Sequence, residues 1–168
     1  MSQMANNRLK RESNNLRGSH AHGWTDWVRA MVPNDEEYYD QARNRGHFGF
    51  MCTDIRAAFP NRTLELCGIY EWQAVGTFDH QPNYVVYVGS TCRRKRGALG
   101  QRINEYCQKG SHKYDLINEA LIKGYELWVR VKTSDGKKEA EDMENKLLEK
   151  YDYAWNKRRN RRIRDILP

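Results

Sequence analysis

An α+β fold, with a small antiparallel three-stranded sheet flanked by helices, is what this chain predicts from three observations. Residues 125–132 alternate, with Tyr125, Leu127, Val129 and Val131 on one side and Glu126, Arg130 and Lys132 on the other, the period-2 pattern of a strand. Residues 66–75 and 84–88 are apolar, β-prone runs joined by a connection carrying Gly, Asp, His, Pro and Asn, as in an antiparallel hairpin. Helical spacing occupies 98–109, 113–123 and 137–153, giving the order β-β-α-α-β-α, in which a sheet packs against helices.

Taken in order, residues 1–23 are rich in Asn, Ser, Arg and His and predict a mobile basic arm. Residues 24–63 predict a helical N-terminal extension anchored by Trp24, Trp27, Val28 and Met31. In it, Asn34-Asp35-Glu36 after Pro33 opens a helix to about residue 44, with acids at its positive end. A shorter helix at 54–58 stops before Pro60. Residues 64–160 hold the strands and helices of the main domain, and residues 161–168 form a basic tail. Leu99, Ile103, Tyr106 and Cys107 share one face of the 98–109 helix, and Gly124 stops the 113–123 helix.

The 168 residues provide for a single core, with 39% hydrophobic residues to build it and 30% charged residues to cover it. A net charge of +7 suits a polyanionic partner. No apolar run is long enough to span a bilayer, and residues 1–17 lack the apolar stretch of a secretory signal, so no membrane partner is expected. Cys52, Cys67, Cys92 and Cys107 form no C-x-x-C pair and are read as reduced, mostly buried thiols of an intracellular protein.

Glu144 is the sharpest chemical signal. On a helix turning 100° per residue, it falls within the stripe of Ala140, Leu147, Leu148 and Tyr151. A carboxylate there needs a partner: either a structural ion pair with an arginine, or a hard cation such as Mg²⁺ or Mn²⁺. Arg102 and Tyr106, four apart, are neighbours on one helix. Arg102 is either a solvated cation or a clamp for a phosphate whose charge grows in a transition state. Tyr70 and Tyr87 are ordinary strand residues, or hydroxyls that move a proton once a cation and Arg102 lower their pKa. His112 either touches a phosphate or lies on the surface after a Gly-Ser turn. Asn156 either braces a phosphate, orients Glu144 or caps a helix. The runs Arg93-Arg94-Lys95-Arg96 and Lys157-Arg158-Arg159 with Arg161 and Arg162 are solvated by default. Flanking these residues, they read as contacts to nucleic-acid phosphates, and the second also matches a nuclear localisation signal.

Gly68-Ile69-Tyr70 and Tyr87-Val88-Gly89, followed by Leu99-Gly100-Gln101-Arg102, Tyr106, Glu144-Asn145 and Asn156, resemble the motifs of the GIY-YIG endonuclease superfamily over residues 64–160. Within it, the opening Gly68-Ile69-Tyr70-Glu71-Trp72, the stretch Lys109-Gly110-Ser111-His112 and Tyr151-Asp152-Tyr153-Ala154-Trp155-Asn156 are similar to the eukaryotic branch seen in plant effector of transcription proteins. The Cys-rich repeats of that group are not evident.

The resemblance implies a divalent-metal-dependent DNA endonuclease with Mg²⁺ or Mn²⁺ on Glu144. Tyr70 would activate water with help from Tyr87, Arg102 would steady the transition state, and Tyr106 and His112 would position the phosphate. A single inward carboxylate implies one metal, nicking of one strand at a time, and a monomer that pairs on DNA for double-strand breaks. The alternatives are a DNA-binding transcriptional regulator with weak or no cleavage, and an RNA-directed nuclease or binder. A nuclear site is expected for a eukaryotic chain.

Overall fold

The computed structural model describes residues 8–33, 49–51, 55–93, 98–107, 113–157 and 162–168. Its strands are β1 (Leu9–Lys10), β2 (Val28–Pro33), β3 (Gly49–Met51), β4 (Cys67–Gly76), β5 (Tyr84–Thr91), β6 (Tyr125–Ser134) and β7 (Tyr151–Asp152). Its helices are α1 (Ile55–Ala58), α2 (Ala98–Tyr106), α3 (Tyr114–Ile122) and α4 (Lys137–Lys150).

The α+β class holds, but the sheet is larger than three strands. Four full strands and the short edge strand β3 run in the order β3-β2-β6-β4-β5, every neighbouring pair antiparallel. The addition comes from the segment expected to be helical: β2 pairs with β6, Val28 opposite Val129 and Arg29 opposite Trp128. Val28, Ala30, Met31 and Val32 are all buried, so this run extends the sheet as a strand covered on both faces. The helix expected at 34–44 lies outside the described residues.

Interior strand β4 is covered on both faces, which is why Gly68–Trp72 is a run of buried positions with no alternation. Tyr70, Trp72 and Ala74 pack with Leu99, Ile103 and Tyr106 of α2 and Ile117, Ala120 and Leu121 of α3. Ile69, on the other face, packs with Leu147 and Leu148 of α4 and with Tyr151 and Tyr153. Each such side chain contributes roughly 1.5–3 kcal/mol when fully withdrawn from water.

The arm expected to be mobile is docked from residue 8 onward. Arg8 donates to the carbonyls of Leu148 (2.7 Å) and Tyr151 (3.3 Å), and β1 pairs in parallel with β7. Glu71, fully buried on β4, accepts from Arg11 Nε (3.0 Å) and Nη2 (3.3 Å), from Arg130 Nε (2.9 Å) and Nη2 (2.6 Å), and from the Tyr153 hydroxyl (2.5 Å). The Arg130 guanidinium also lies over the rings of Trp24 (4.6 Å) and Trp27 (4.5 Å). An arginine 5% exposed cannot remain unpaired, so this carboxylate fixes the arm to the sheet.

The basic tail is likewise docked where described. Arg164 pairs with Glu12 (2.5 Å) and Asp152 (3.1 Å), and Leu167 is buried. Two of the four cysteines are not reduced thiols: Cys67, at the start of β4, and Cys92, just past β5, are joined in a disulfide. They meet because β4 and β5 are paired over their length, which sequence spacing does not reveal. Cys107 is a buried thiol, and Cys52 lies outside the described residues.

Candidate active site

Pairing of β4 with β5 sets Tyr70 opposite Gly89 and Trp72 opposite Tyr87. A side chain at Gly89 would occupy the space of the Tyr70 phenol, and one at Gly68 would run into the backbone of Lys132 on β6. The two motif glycines are therefore close-approach positions, one for a tyrosine ring and one for a neighbouring strand.

One turn apart on α2, Arg102 and Tyr106 reach the same spot. Arg102 Nε donates to the Tyr70 hydroxyl (3.2 Å), which bonds the Tyr106 hydroxyl (2.9 Å), which donates to the Tyr87 hydroxyl (3.3 Å). With Arg102 and Tyr106 both donating, the direction is fixed: Arg102 to Tyr70, Tyr70 to Tyr106, Tyr106 to Tyr87. The three rings contact one another edge-on or tilted, with centroids 5.6–6.4 Å apart, and the Arg102 guanidinium lies 5.1 Å from the Tyr106 centroid.

Exposure divides this chain. Tyr70 is 1% and Tyr106 2% exposed, whereas Tyr87 is half-buried and the Arg102 side chain is 30% exposed. Burial pushes the Tyr70 hydroxyl up to about 12, Tyr87 adding to the rise and Arg102 opposing it. The Tyr87 hydroxyl is also raised, first by burial; the hydrogen bond from Tyr106 lowers it, Glu144 raises it and Arg102 lowers it. Tyr106 is raised furthest, by burial and by the two tyrosines it bonds. Burial lowers Arg102, but Tyr70, Tyr106 and Glu105 outweigh it and hold the guanidinium above its ordinary value.

Glu144 arrives from α4, which packs on the face of the sheet that carries Ile69, and meets the edge strand β5 at Ser90. Ser90 Oγ donates to its Oε1 at 2.8 Å. Glu144 is thus partly exposed and hydrogen-bonded, not enclosed in the core. Next to it, the buried Oδ1 of Asn145 has no hydrogen-bond partner among the described residues.

Asn156 caps no helix, since α4 ends at Lys150 with Tyr151 as its cap. Its side chain holds the backbone of Val88 on β5, and Trp155 N donates to Val86 O (2.9 Å), so residues 155–156 act as a further partner for the edge strand. Tyr106 bonds the other two tyrosines and is 2% exposed.

Of the basic residues, Arg93 is ion-paired with Glu105 and bonds Gln101 (3.3 Å), while Lys157 and Arg162 are exposed. His112, Arg94, Lys95, Arg96, Arg158, Arg159 and Arg161 lie outside the described residues. Sequence reading passed over Ser90 and Lys113. Lys113 is buried, bonds Trp155 O at 2.6 Å and lies 5.0 Å from the Tyr87 ring centroid; burial, then Lys157, lowers its pKa. Ser90 was findable as a hydroxyl one residue past the Tyr87-Val88-Gly89 motif; Lys113 carried no signal, being one cation among 29.

Among the described residues, no helix is long and apolar enough to cross a membrane. A family model described as a GIY-YIG domain-containing protein matches residues 63–167. Comparison with curated proteins and with solved structures returned no significant match.

Proposed function

The chain belongs to the GIY-YIG domain family, a family of endonucleases, and from that premise we propose that it is a divalent-metal-dependent DNA endonuclease that nicks one strand at a time. The observation that carries this reading is the hydrogen-bonded series from Arg102 through Tyr70 and Tyr106 to the half-buried Tyr87. A structural core has no need to align three phenols behind an arginine, and the series ends at a half-buried tyrosine.

Among the described residues there is no group of three His, Cys, Asp or Glu to enclose a metal. What is present fits Mg²⁺ or Mn²⁺ bound by one carboxylate and several waters: Glu144, with Ser90 on one oxygen and the unpartnered Asn145 Oδ1 next in sequence. Bound there, the cation would supply positive charge to the scissile phosphate.

The remaining work falls to the chain's own groups. Burial supports exchanging the roles expected for the two strand tyrosines: the half-buried Tyr87 takes the proton from the attacking water, and Tyr70 stands behind it. Tyr106, donating to Tyr87, favours the phenolate form in which Tyr87 takes that proton to become the neutral phenol. Arg102 presents the outer edge of its guanidinium to the phosphate oxygens, where charge grows as the bond to water forms. Asn156 keeps Tyr87 in place through Val88. Arg94, Lys95, Arg96, Lys157, Arg158, Arg159, Arg161 and Arg162 remain candidates for the phosphates on either side, with Arg93 and His112 beside them. Within the family, the stretch Tyr151–Asn156 supports the likeness to plant effector of transcription proteins.

Supercoiled-plasmid cleavage with Mg²⁺, Mn²⁺ and EDTA, wild type against Glu144→Ala, tests the reading. Nicking that needs metal and disappears in the variant is the expected result. Binding without cleavage by both proteins would instead leave a DNA-binding regulator. DNA and RNA competitors at matched salt identify the nucleic acid.

A further inference from the structure

We infer that Ser90 is a positioning residue for the cation-binding carboxylate. It fixes the orientation of Glu144 by holding Oε1. This rests on the proposed role of Glu144.

Three constraints make Ser90 a fixed point. It is paired with Ile69 in the β4–β5 ladder, so its place along β5 is set by the same register that puts Tyr70 opposite Gly89. Two residues earlier, the Asn156 amide bonds Val88 through both N–H and C=O, which prevents the edge strand from fraying at this point. Two residues later, the Cys67–Cys92 disulfide ties the end of β5 back to the start of β4. The Ser90 hydroxyl is therefore held on both sides and points at a helix from another layer.

Glu144 needs such a contact. A glutamate has three side-chain torsions, and freezing them on metal binding costs affinity. The 2.8 Å bond from Ser90 Oγ restricts them beforehand and engages a lone pair of Oε1. It is also a charge-assisted bond, donated to an ionised acceptor, and is stronger than one between neutral groups. A partner of this kind that orients a metal ligand is worth roughly 10–100-fold in metal affinity when removed. Because the same strand carries Tyr87, Ser90 also links the position of the carboxylate to that of the phenol three residues earlier.

Mn²⁺ binding to the full chain, without nucleic acid, tests this by electron paramagnetic resonance, with Glu144→Gln as the blank. Nicking assays and thermal melts run in parallel. Ser90→Ala is expected to weaken Mn²⁺ binding by about 10-fold. Nicking by it should recover at high metal, and its melt should stay close to wild type. Ser90→Thr, which keeps the hydroxyl, should bind Mn²⁺ within about 3-fold of wild type, since it retains the donor. Wild-type Mn²⁺ affinity in Ser90→Ala overturns the inference, as does a Ser90→Ala nicking defect that no metal concentration repairs. If wild type and Glu144→Gln bind Mn²⁺ equally, the metal role of Glu144 fails and the inference falls with it. That outcome is distinct from one in which Glu144 binds metal and Ser90 does not matter.

Discussion

The Asn156 side chain grips both backbone polar groups of Val88: Nδ2 donates to the carbonyl at 2.9 Å, and the backbone N–H donates to Oδ1 at 3.1 Å. A carboxamide is the side chain that reproduces the donor–acceptor pattern of a neighbouring strand, and here it supplies that partner to β5 between Tyr87 and Gly89. Asn156→Asp keeps the shape and loses the donor, leaving a carboxylate against a carbonyl with both groups buried. Urea denaturation should show a loss of about 1–3 kcal/mol. Nicking should fall with it, because Tyr87 moves with its strand.

Conversion of Tyr87 to Phe should reduce single-turnover nicking by roughly 10²–10⁴-fold, the usual contribution of a proton-transferring group. Tyr70→Phe should cost less, since its hydroxyl reaches the Tyr87 phenol only through Tyr106, two hydrogen bonds away. DNA affinity should be unchanged in both. A larger loss in Tyr70→Phe than in Tyr87→Phe would restore Tyr70 as the group that meets the water.

The buried Tyr70 hydroxyl gives stability a dependence on alkaline pH. Its folded value of about 12 lies above the ordinary value of about 10, so between these the folded state binds more protons than the unfolded one. Stability from this source is complete below pH 10 and is lost as pH rises towards 12. Unfolding free energies measured across pH 9–12 should fall less steeply in Tyr70→Phe than in wild type.

Glu71→Ala should destabilise the fold by about 3–5 kcal/mol, because Arg11 is 5% exposed and would lose its counter-charge. Proteolysis should then release the segment around residues 8–21 before the sheet opens. Glu71→Gln should be milder, since its oxygen still accepts from one arginine.

Reducing the Cys67–Cys92 disulfide, which closes a sequence separation of 25 residues, should remove about 3 kcal/mol by freeing the unfolded chain. Cys67→Ser should match the dithiothreitol-treated protein in chemical denaturation and should not respond to the reagent. Equal stability with and without reductant would show that the bond contributes little.

Much of the fold was legible because it rests on local periodicity. The alternation of 125–132 reappears in β6, which runs Tyr125–Ser134, and the apolar stripe of α4 packs as the spacing indicates. The N-terminal region was misread for the opposite reason. Val28–Pro33 has no clear alternation because β2 is largely buried on both faces, and a short run that is apolar but for Arg29 does not distinguish a strand from a helix. The docked arm was read as mobile because its polar residues are satisfied by partners far along the chain: Arg11 by Glu71, and Glu12 by Arg164.

The chemistry divides in the same way. The identities of Tyr70, Tyr87, Arg102, Tyr106 and Glu144, and the i, i+4 spacing of Arg102 and Tyr106, were set by the sequence alone, because motif order and helical geometry are local properties. Tertiary structure decided that Tyr87 is less buried than Tyr70, that Asn156 serves a strand, that Ser90 meets Glu144, and that Cys67 meets Cys92. Each of those depends on strand order and register, which bring together side chains 25 to 68 positions apart. Exposure and hydrogen-bond partners at such separations are properties of the packed sheet, and no window of sequence contains them.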